Sequence, residues 1–264
     1  LMPNQPGVQN VSNATASSLY ANVIHPLLPY RVAGIIWYQG ETNAGRPDEY
    51  HTLLPAMIND WRKSYGNVPA VICGLANHQE SHTDANYHGG WARLRDAQRL
   101  GTEEMGNAGF AVLTDLGEWN DIHPLHKKEA ADRIARIMRK MYLKENIVAE
   151  GPAYESVRFE DGKAIVTFRA GTGILCPAPA ETPAMHHYRT SAVNADGTLN
   201  GFTICGKDKK FHWAKARIEG NEVVVWSDDV KEPVAVRYGW DDDPIVSLYN
   251  TDGLPAASFS TTSH

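Results

Sequence analysis

The sequence contains few cysteines and no long apolar or basic run. Its three cysteines, Cys73, Cys176 and Cys205, fit neither a disulfide framework nor a zinc site. A single Cys176–Cys205 disulfide is the alternative. No apolar run approaches the roughly 20 residues that a membrane-spanning helix needs. The net charge is -6, and no Lys/Arg cluster indicates a nucleic-acid surface. We therefore expect no nucleic-acid partner and no membrane partner.

The beginning of the chain also lacks a recognisable signal. The segment LMPNQPGVQN has neither the charged start nor the apolar stretch of a signal peptide. At 42% hydrophobic and 21% charged residues, the 264-residue chain has an ordinary globular composition. A chain of this length can bury a sizeable core in one large domain or two smaller ones.

The first half alternates between helix and strand patterns. Apolar runs predict buried strands, and apolar residues at i, i+3, i+4 and i+7 predict helices. The predicted helices cover 17–28, 48–65, 91–104 and 127–143, and the predicted strands cover 32–38, 69–77 and 109–115. This order is typical of an α/β fold with a parallel sheet between helices. Functional sites in such sheets form at the carboxyl ends of the strands.

The second half has the pattern of an antiparallel β structure. Asp161-Gly162 lies between two alternating runs and predicts a hairpin, and Gly220-Asn221 predicts another turn. Further strands are predicted over 201–205, 212–219, 222–227 and 234–238. We therefore expect an α/β region over residues 1–150 and a β-rich, sandwich-like domain over residues 151–264.

His123 is the clearest candidate for a catalytic group. It lies in GEWNDIHP, after a predicted strand and before a predicted helix, and Pro124 suits the first helical turn. Asp121 precedes it by two residues and could fix the imidazole tautomer, as the acid of a Ser-His-Asp triad does. The alternative is a loop histidine next to a helix-capping aspartate.

Gln39, Gly40 and Glu41 follow the first predicted strand. The Gln39 amide could donate to a developing oxyanion, and Gly40 would let a substrate approach the backbone. Glu41 could orient the amide. The alternative is a polar turn that closes a strand. On the helix over 91–104, Arg95 could face the same site.

A metal site is disfavoured, and a nucleophile is missing. His78, His82 and His88 lie in a segment whose Ser, Thr, Asn and Gly content is typical of a loop, so we expect no metal there. No serine follows a glycine by two positions, which excludes a Gly-x-Ser-x-Gly elbow. Ser12, in NVSNA, precedes a helix and not a strand end, and Cys73 lies inside a strand. The chain therefore has a candidate base and oxyanion donor without a convincing attacking group.

Taken together, the motifs resemble the sialate O-acetylesterases of the Ser-Gly-Asn-His (SGNH) hydrolase superfamily. The resemblance covers nearly the whole chain and includes GIIWYQGETNA, WARLRDAQ, TDLGEWNDIHPLHKKEAADRIA and LYNTDGLPAASF. It implies a flavodoxin-like SGNH-hydrolase parallel sheet with helices on both faces, present here only in part. In this family the nucleophilic serine belongs to a Gly-Gln-Ser-Asn-Met segment well upstream of the strand that begins here at residue 32.

The resemblance implies a role for each candidate residue. His123 would be the general base, and Gln39 would donate to the oxyanion. Asp121 would be the acid of the triad, with Asp115 as the alternative, because Asn120 occupies the position three before the histidine, where the superfamily often has Asp. The catalytic serine would come from an N-terminal portion or from another subunit, and we expect the 264-residue chain alone to be inactive on acetyl esters.

The implied reaction is the removal of O-acetyl groups from sialic acid or related sugars, without a metal or an organic cofactor. An esterase for acetylated xylan or pectin and a non-catalytic carbohydrate-binding fragment are the alternatives. The family is often periplasmic or secreted. The sequence leaves the compartment, the particular sugar and the oligomeric state open.

Overall fold

The computed structural model describes residues 15, 17–179 and 192–262. In its first half the structure confirms the predicted alternation of helices and strands. The order is β1 (Ile35–Trp37), α1 (Pro47–Tyr65), β2 (Ala70–Cys73), α2 (Gly90–Met105), β3 (Ala108–Ala111) and α3 (Lys127–Tyr142). Among the described residues, no helix is both long and apolar enough to cross a membrane.

The first three strands form a parallel sheet in the order β1-β2-β3. Side chains of the central strand alternate between two cores, as the period of a strand requires. Ile72 packs with residues of α1 and α2, whereas Val71 and Cys73 pack with residues of α3. Helices therefore cover both faces of this sheet.

The segment before β1 differs from the prediction of one regular helix over 17–28. It forms a π-helical turn over Tyr20–Ile24, followed by a 3-10 turn over His25–Leu27. Pro26 explains the difference, because its nitrogen carries no hydrogen and its ring displaces the carbonyl four residues earlier. A regular α-helix is therefore interrupted before Pro29.

The second half forms a seven-stranded antiparallel sheet in the order β12-β10-β7-β8-β9-β5-β4, with a two-stranded ribbon of β6 and β11. The predicted hairpin at Asp161-Gly162 is confirmed, since both residues have positive φ and join β4 to β5. The division at residue 150 stays a prediction. The strands are β4 (Tyr154–Glu160), β5 (Lys163–Phe168), β6 (Leu175–Pro177), β7 (Leu199–Cys205), β8 (Phe211–Glu219), β9 (Glu222–Trp226), β10 (Ala235–Tyr238), β11 (Leu248–Asn250) and β12 (Phe259–Ser260).

The loop between β2 and α2, residues 78–89, packs against the β-rich half. His82 Nδ1 lies 2.7 Å from Asp241 Oδ1, and Tyr87 Oη donates to Asp242 Oδ2 at 2.6 Å. His78 N donates to the Asp242 carbonyl at 3.2 Å, whereas the His78 ring lies against Trp91. The loop histidines are therefore spread over separate contacts, and no group of metal-binding side chains is found in the described part of the chain.

Candidate active site

The loops that follow the three parallel strands are held together by side-chain amides. The Gln98 amide accepts from Leu75 N at 3.0 Å and donates to the Gln39 carbonyl at 3.0 Å, which joins the ends of β1 and β2. Asn77 Oδ1 accepts from Gly117 N at 2.7 Å, which joins the ends of β2 and β3. The loop of Gln39 and the loop that leads to His123 therefore lie at the same edge of the sheet.

The side chain of Gln39 has a defined orientation. Its Oε1 accepts from Tyr50 Oη at 3.1 Å, and its Nε2 donates to Asn43 Oδ1 at 3.0 Å. Tyr50 Oη is itself held by Trp37 Nε1 at 2.8 Å. An amide nitrogen carries two hydrogens, and the described residues supply one acceptor. The second hydrogen has no acceptor among the described residues.

Gly40 and Glu41 form a compact turn beside this amide. Gly40 N donates to Glu41 Oε2 at 2.9 Å. A Cβ atom on Gly40 would lie 2.9 Å from both Gln98 Nε2 and Leu94 Cδ2, so a larger residue would have to displace the amide that joins the ends of β1 and β2. Glu41 contacts the backbone of Gly40, whereas the Gln39 amide that we expected it to orient is held by other side chains.

His123 lies on the surface beside Asp121. The His123 side chain is 87% exposed, and its Nδ1 lies 3.6 Å from Asp121 Oδ1. The same carboxylate oxygen accepts from His123 N at 2.8 Å. Asp121 thus holds the backbone of His123, while the exposed imidazole lies beside the same carboxylate but beyond hydrogen-bond distance.

Glu118 closes the loop that carries His123, and sequence reasoning missed it. It is 3% exposed. Its Oε2 accepts from Leu125 N at 3.2 Å, and its carbonyl accepts from Asp121 N at 3.3 Å. The only signal in the sequence is an acidic residue between a strand and a helix, which is equally typical of a surface position.

Asp115, the alternative acid, is buried and fully engaged. Arg133 donates to its two carboxylate oxygens at 2.5 and 2.6 Å, and Tyr249 Oη donates at 2.8 Å. These contacts join the end of β3 to α3 and to β11. Between the two candidates, the geometry favours Asp121 as the partner of His123.

Arg95 lies in the interior, against the β-rich half. Its guanidinium donates to the backbone carbonyls of Asp241 and Asp242. Burial lowers the pKa of Arg95 to about 10, and the surrounding carboxylates partly oppose that shift. All its described hydrogen-bond acceptors lie in residues 239–242, so we assign Arg95 a positioning role.

Tyr38 is a further polar group at this edge that the sequence did not single out. Its Oη is buried and has no hydrogen-bond partner among the described residues. Burial raises the pKa of Tyr38 to about 12, with smaller contributions from Cys73, Glu41 and Glu118. Tyr38 therefore stays a neutral hydroxyl at neutral pH. The Lys127 ammonium lies 5.0 Å from the centre of its ring.

No nucleophile completes the site within the described part of the chain. Here no serine hydroxyl forms a hydrogen bond with the His123 ring, whose polar neighbour is Asp121. The thiol of Cys73 is buried, and burial raises its pKa to about 12, so it does not form a reactive thiolate at neutral pH.

A parallel sheet flanked by helices, with an amide and an imidazole at its carboxyl edge, defines an α/β protein whose candidate site lies at the ends of its strands. The sequence profile of the carbohydrate esterases described as sialic acid-specific acetylesterases matches residues 7–144. That match spans more than half of the 264 residues. The chain belongs to this carbohydrate esterase family, as the motifs predicted.

Individual relatives agree with this assignment. The chain is 24% identical to a sialate O-acetylesterase of Pongo abelii over 92% of its length and 48% of that protein. It is 28% identical to the human sialate O-acetylesterase over 57% of its length and 32% of that protein. The chain thus spans about half or less of the curated relatives that it matches.

A solved structure shows the same fold. The crystal structure of a carbohydrate acetylesterase from Xanthomonas citri superposes with a TM-score of 0.81 and 36% sequence identity. The match covers 93% of this chain and 54% of that one.

Proposed function

We propose that the chain supplies the general base and an oxyanion donor of an esterase that removes O-acetyl groups from sialic acid or related sugars. The observation that carries the proposal is the common edge shared by the Gln39 amide and the His123 loop. Membership of the family of sialic acid-specific acetylesterases supports the same reaction.

In the proposed mechanism a serine hydroxyl attacks the acetyl carbonyl while His123 takes its proton. The free hydrogen of Gln39 Nε2 donates to the tetrahedral oxyanion. His123 then returns the proton to the departing sugar oxygen, and water releases acetate by the same route. Asp121 keeps the imidazole oriented throughout. None of these steps uses a cofactor.

The serine is proposed to come from an upstream portion or another subunit that packs against β1. β1 is one of the two edge strands of the sheet in the described part of the chain. Ile36, on this strand, is 57% exposed. Leu19, Val23 and Tyr30 before it are exposed as well. We propose that a further strand continues the sheet here into a flavodoxin-like arrangement.

Substitution of Gln39 tests the reaction. In the complete protein with its serine, Gln39→Ala should slow turnover of 4-nitrophenyl acetate by roughly 10²–10³-fold, because one oxyanion donor is lost. His123→Ala should be at least as severe. Gln79→Ala, at an exposed glutamine, is the matched control and should leave the rate unchanged.

Two results would contradict the proposal. One is an unchanged rate for Gln39→Ala and His123→Ala. The other is hydrolysis at enzymatic rates by the 264-residue chain alone. Release of acetate from O-acetylated sialic acid, compared with acetylated xylan and pectin, identifies the sugar.

A further inference from the structure

Arg237 on β10 is a buried cation without a carboxylate partner in the described part of the chain. The residue is 8% exposed. Its guanidinium lies 3.8 Å from the centre of the Phe211 ring and 5.1 Å from that of Trp240. Nη2 is 3.4 Å from His88 Nδ1, and Nε has no hydrogen-bond partner. Two aromatic rings and an imidazole are its described neighbours.

The other arginines of low exposure donate to carboxylates or to several backbone carbonyls, although Arg95 Nε also has no hydrogen-bond partner. Arg99 pairs with Asp96 and Arg133 with Asp115, each through a carboxylate oxygen within 2.6 Å. Arg62 and Arg95 each donate to three backbone carbonyls. Because arginine remains charged in proteins, a buried guanidinium without such partners costs free energy that a bound anion would recover.

Arg237 lines a cavity of about 580 Å³ with a cationic wall. Arg93, Lys209 and His88 contribute further nitrogen groups to it. The carboxylate in the wall, Asp48, already accepts from Arg93 Nη2 at 2.7 Å. Positive charge therefore exceeds negative charge around the cavity, which favours an anionic occupant.

The position of the cavity relates it to the sheet edge. Asp48 and Arg93 lie in the first turns of α1 and α2, which begin at the edge that carries Gln39. Gly90, which opens α2, packs directly on the Ala44 backbone, since a Cβ atom there would lie 1.9 Å from the Ala44 carbonyl oxygen. The cavity thus lies at the first turns of α1 and α2, next to the loop that precedes α1 in the chain.

We propose that this cavity, the Arg237 pocket, binds the oxyanion of a small ligand: the carboxylate of an acidic sugar or a free inorganic anion. Phe211 packs on the guanidinium face, so an anion would meet Arg237 at the edge of the guanidinium, where arginine donates hydrogen bonds to carboxylates and phosphates. The inference stands independently of the esterase reaction, because it requires no ester bond and no serine.

Calorimetric titration of the 264-residue chain tests the pocket with three probes: N-acetylneuraminate, its uncharged methyl ester, and inorganic phosphate. We expect an anionic probe to bind and the methyl ester to fail. Arg237→Met should weaken that binding at least tenfold. Arg217→Met, at an exposed arginine on β8, is the matched control and should bind like the parent.

Asp48→Asn provides a test that leaves Arg237 in place. Removing the carboxylate from the wall should tighten anion binding several-fold, whether or not Arg237→Met folds. Binding of N-acetylneuraminate but not phosphate identifies an acidic sugar, and the reverse identifies an inorganic anion. The proposal is overturned if neither anion binds at millimolar concentration, or if Asp48→Asn and Arg237→Met both bind like the parent.

Discussion

At the scale of single residues, Glu118 determines the shape of the loop that carries His123. Its buried carboxylate accepts from the Leu125 amide, and its carbonyl accepts from the Asp121 amide. These two bonds lie on either side of the histidine in the sequence. The exposed imidazole is therefore positioned by a residue that does not contact it.

Glu118→Ala should lower the free energy of unfolding by about 1–3 kcal/mol, because the Leu125 amide loses its buried acceptor. Glu118→Gln should lose less, since its amide oxygen can still accept. Urea denaturation measures the stability, and hydrogen exchange at the Leu125 amide should accelerate in the alanine variant. Glu160→Ala, at an exposed glutamate, is the control. Equal exchange rates in Glu118→Ala and the parent would contradict the role.

The sequence predicted those candidate site residues that directly follow a predicted strand or lie in the loop after one. Gln39 and His123 follow strands, and the rule for parallel sheets places such residues at one edge. Glu118, Tyr38 and Asn77 were not singled out, because their importance depends on burial. A polar residue that is buried by distant segments has no local pattern of its own.

At the scale of elements, periodicity predicted α1, α2 and α3 within two residues, whereas the regular helix predicted over 17–28 is not observed. The helix predicted over 48–65 is observed at Pro47–Tyr65, and the one over 127–143 at Lys127–Tyr142. β1 is shorter than predicted, because only Ile35–Trp37 pair with β2. Apolar runs show that a segment is buried but do not show where its ladder of hydrogen bonds ends.

The ion pair of Asp115 and Arg133 should be a strong link between β3 and α3. Arg133→Met should destabilise the protein by about 3–5 kcal/mol, because it leaves a buried carboxylate unpaired. The double variant Asp115→Asn, Arg133→Met should lose less than the sum of the two single variants. Urea denaturation of all four proteins measures the coupling, and strictly additive losses would contradict it. Arg158→Met, which breaks an exposed pair with Glu222, is the comparison.

Glu150, between α3 and β4, should make stability depend on pH. Burial raises the pKa of Glu150, and the hydrogen bond from Phe110 N partly opposes the shift. The folded state therefore binds this proton more tightly than the unfolded state. The contribution of Glu150 to the free energy of unfolding is fully present below the ordinary pKa of glutamate. It is lost as the pH rises through the raised pKa of the folded state.

Glu150→Gln should remove that loss. Thermal unfolding is measured at about pH 4 and about pH 8, on either side of the ordinary glutamate pKa. The decrease in Tm between the two pH values should be smaller in the variant than in the parent. Glu160→Gln should behave like the parent. An unchanged decrease in Glu150→Gln would assign the pH dependence to other groups.

At the scale of the whole molecule, the side of β1 that no described strand covers should cause association. An edge strand with an exposed apolar side chain can pair with another chain. Ile36→Lys should reduce self-association of the 264-residue chain, measured by analytical ultracentrifugation. Ile174→Lys, at an isoleucine that is 71% exposed away from this edge, should not. Identical sedimentation of the two variants would contradict the role of β1.

Contacts between the two halves could not be predicted from the sequence. The loop 78–89 contacts residues about 150 positions away, such as Asp241 and Asp242. The sequence pattern located the change from α/β to β-rich structure near residue 150, where helices give way to strands. Pairing over such separations depends on side-chain shape and charge in the folded state, and no local period encodes it.

The loop 78–89 has a consequence for how such a chain can change over evolutionary time. Trp213 Nε1 donates to the Thr83 carbonyl, and Asn86 exchanges hydrogen bonds with the backbone of Phe211. A gene rearrangement that separated the β-rich half from the helical half would leave each half with exposed contact surface and unpaired hydrogen-bonding groups. The two parts are therefore expected to be inherited together, and recombination that joins either part to a foreign module should rarely succeed.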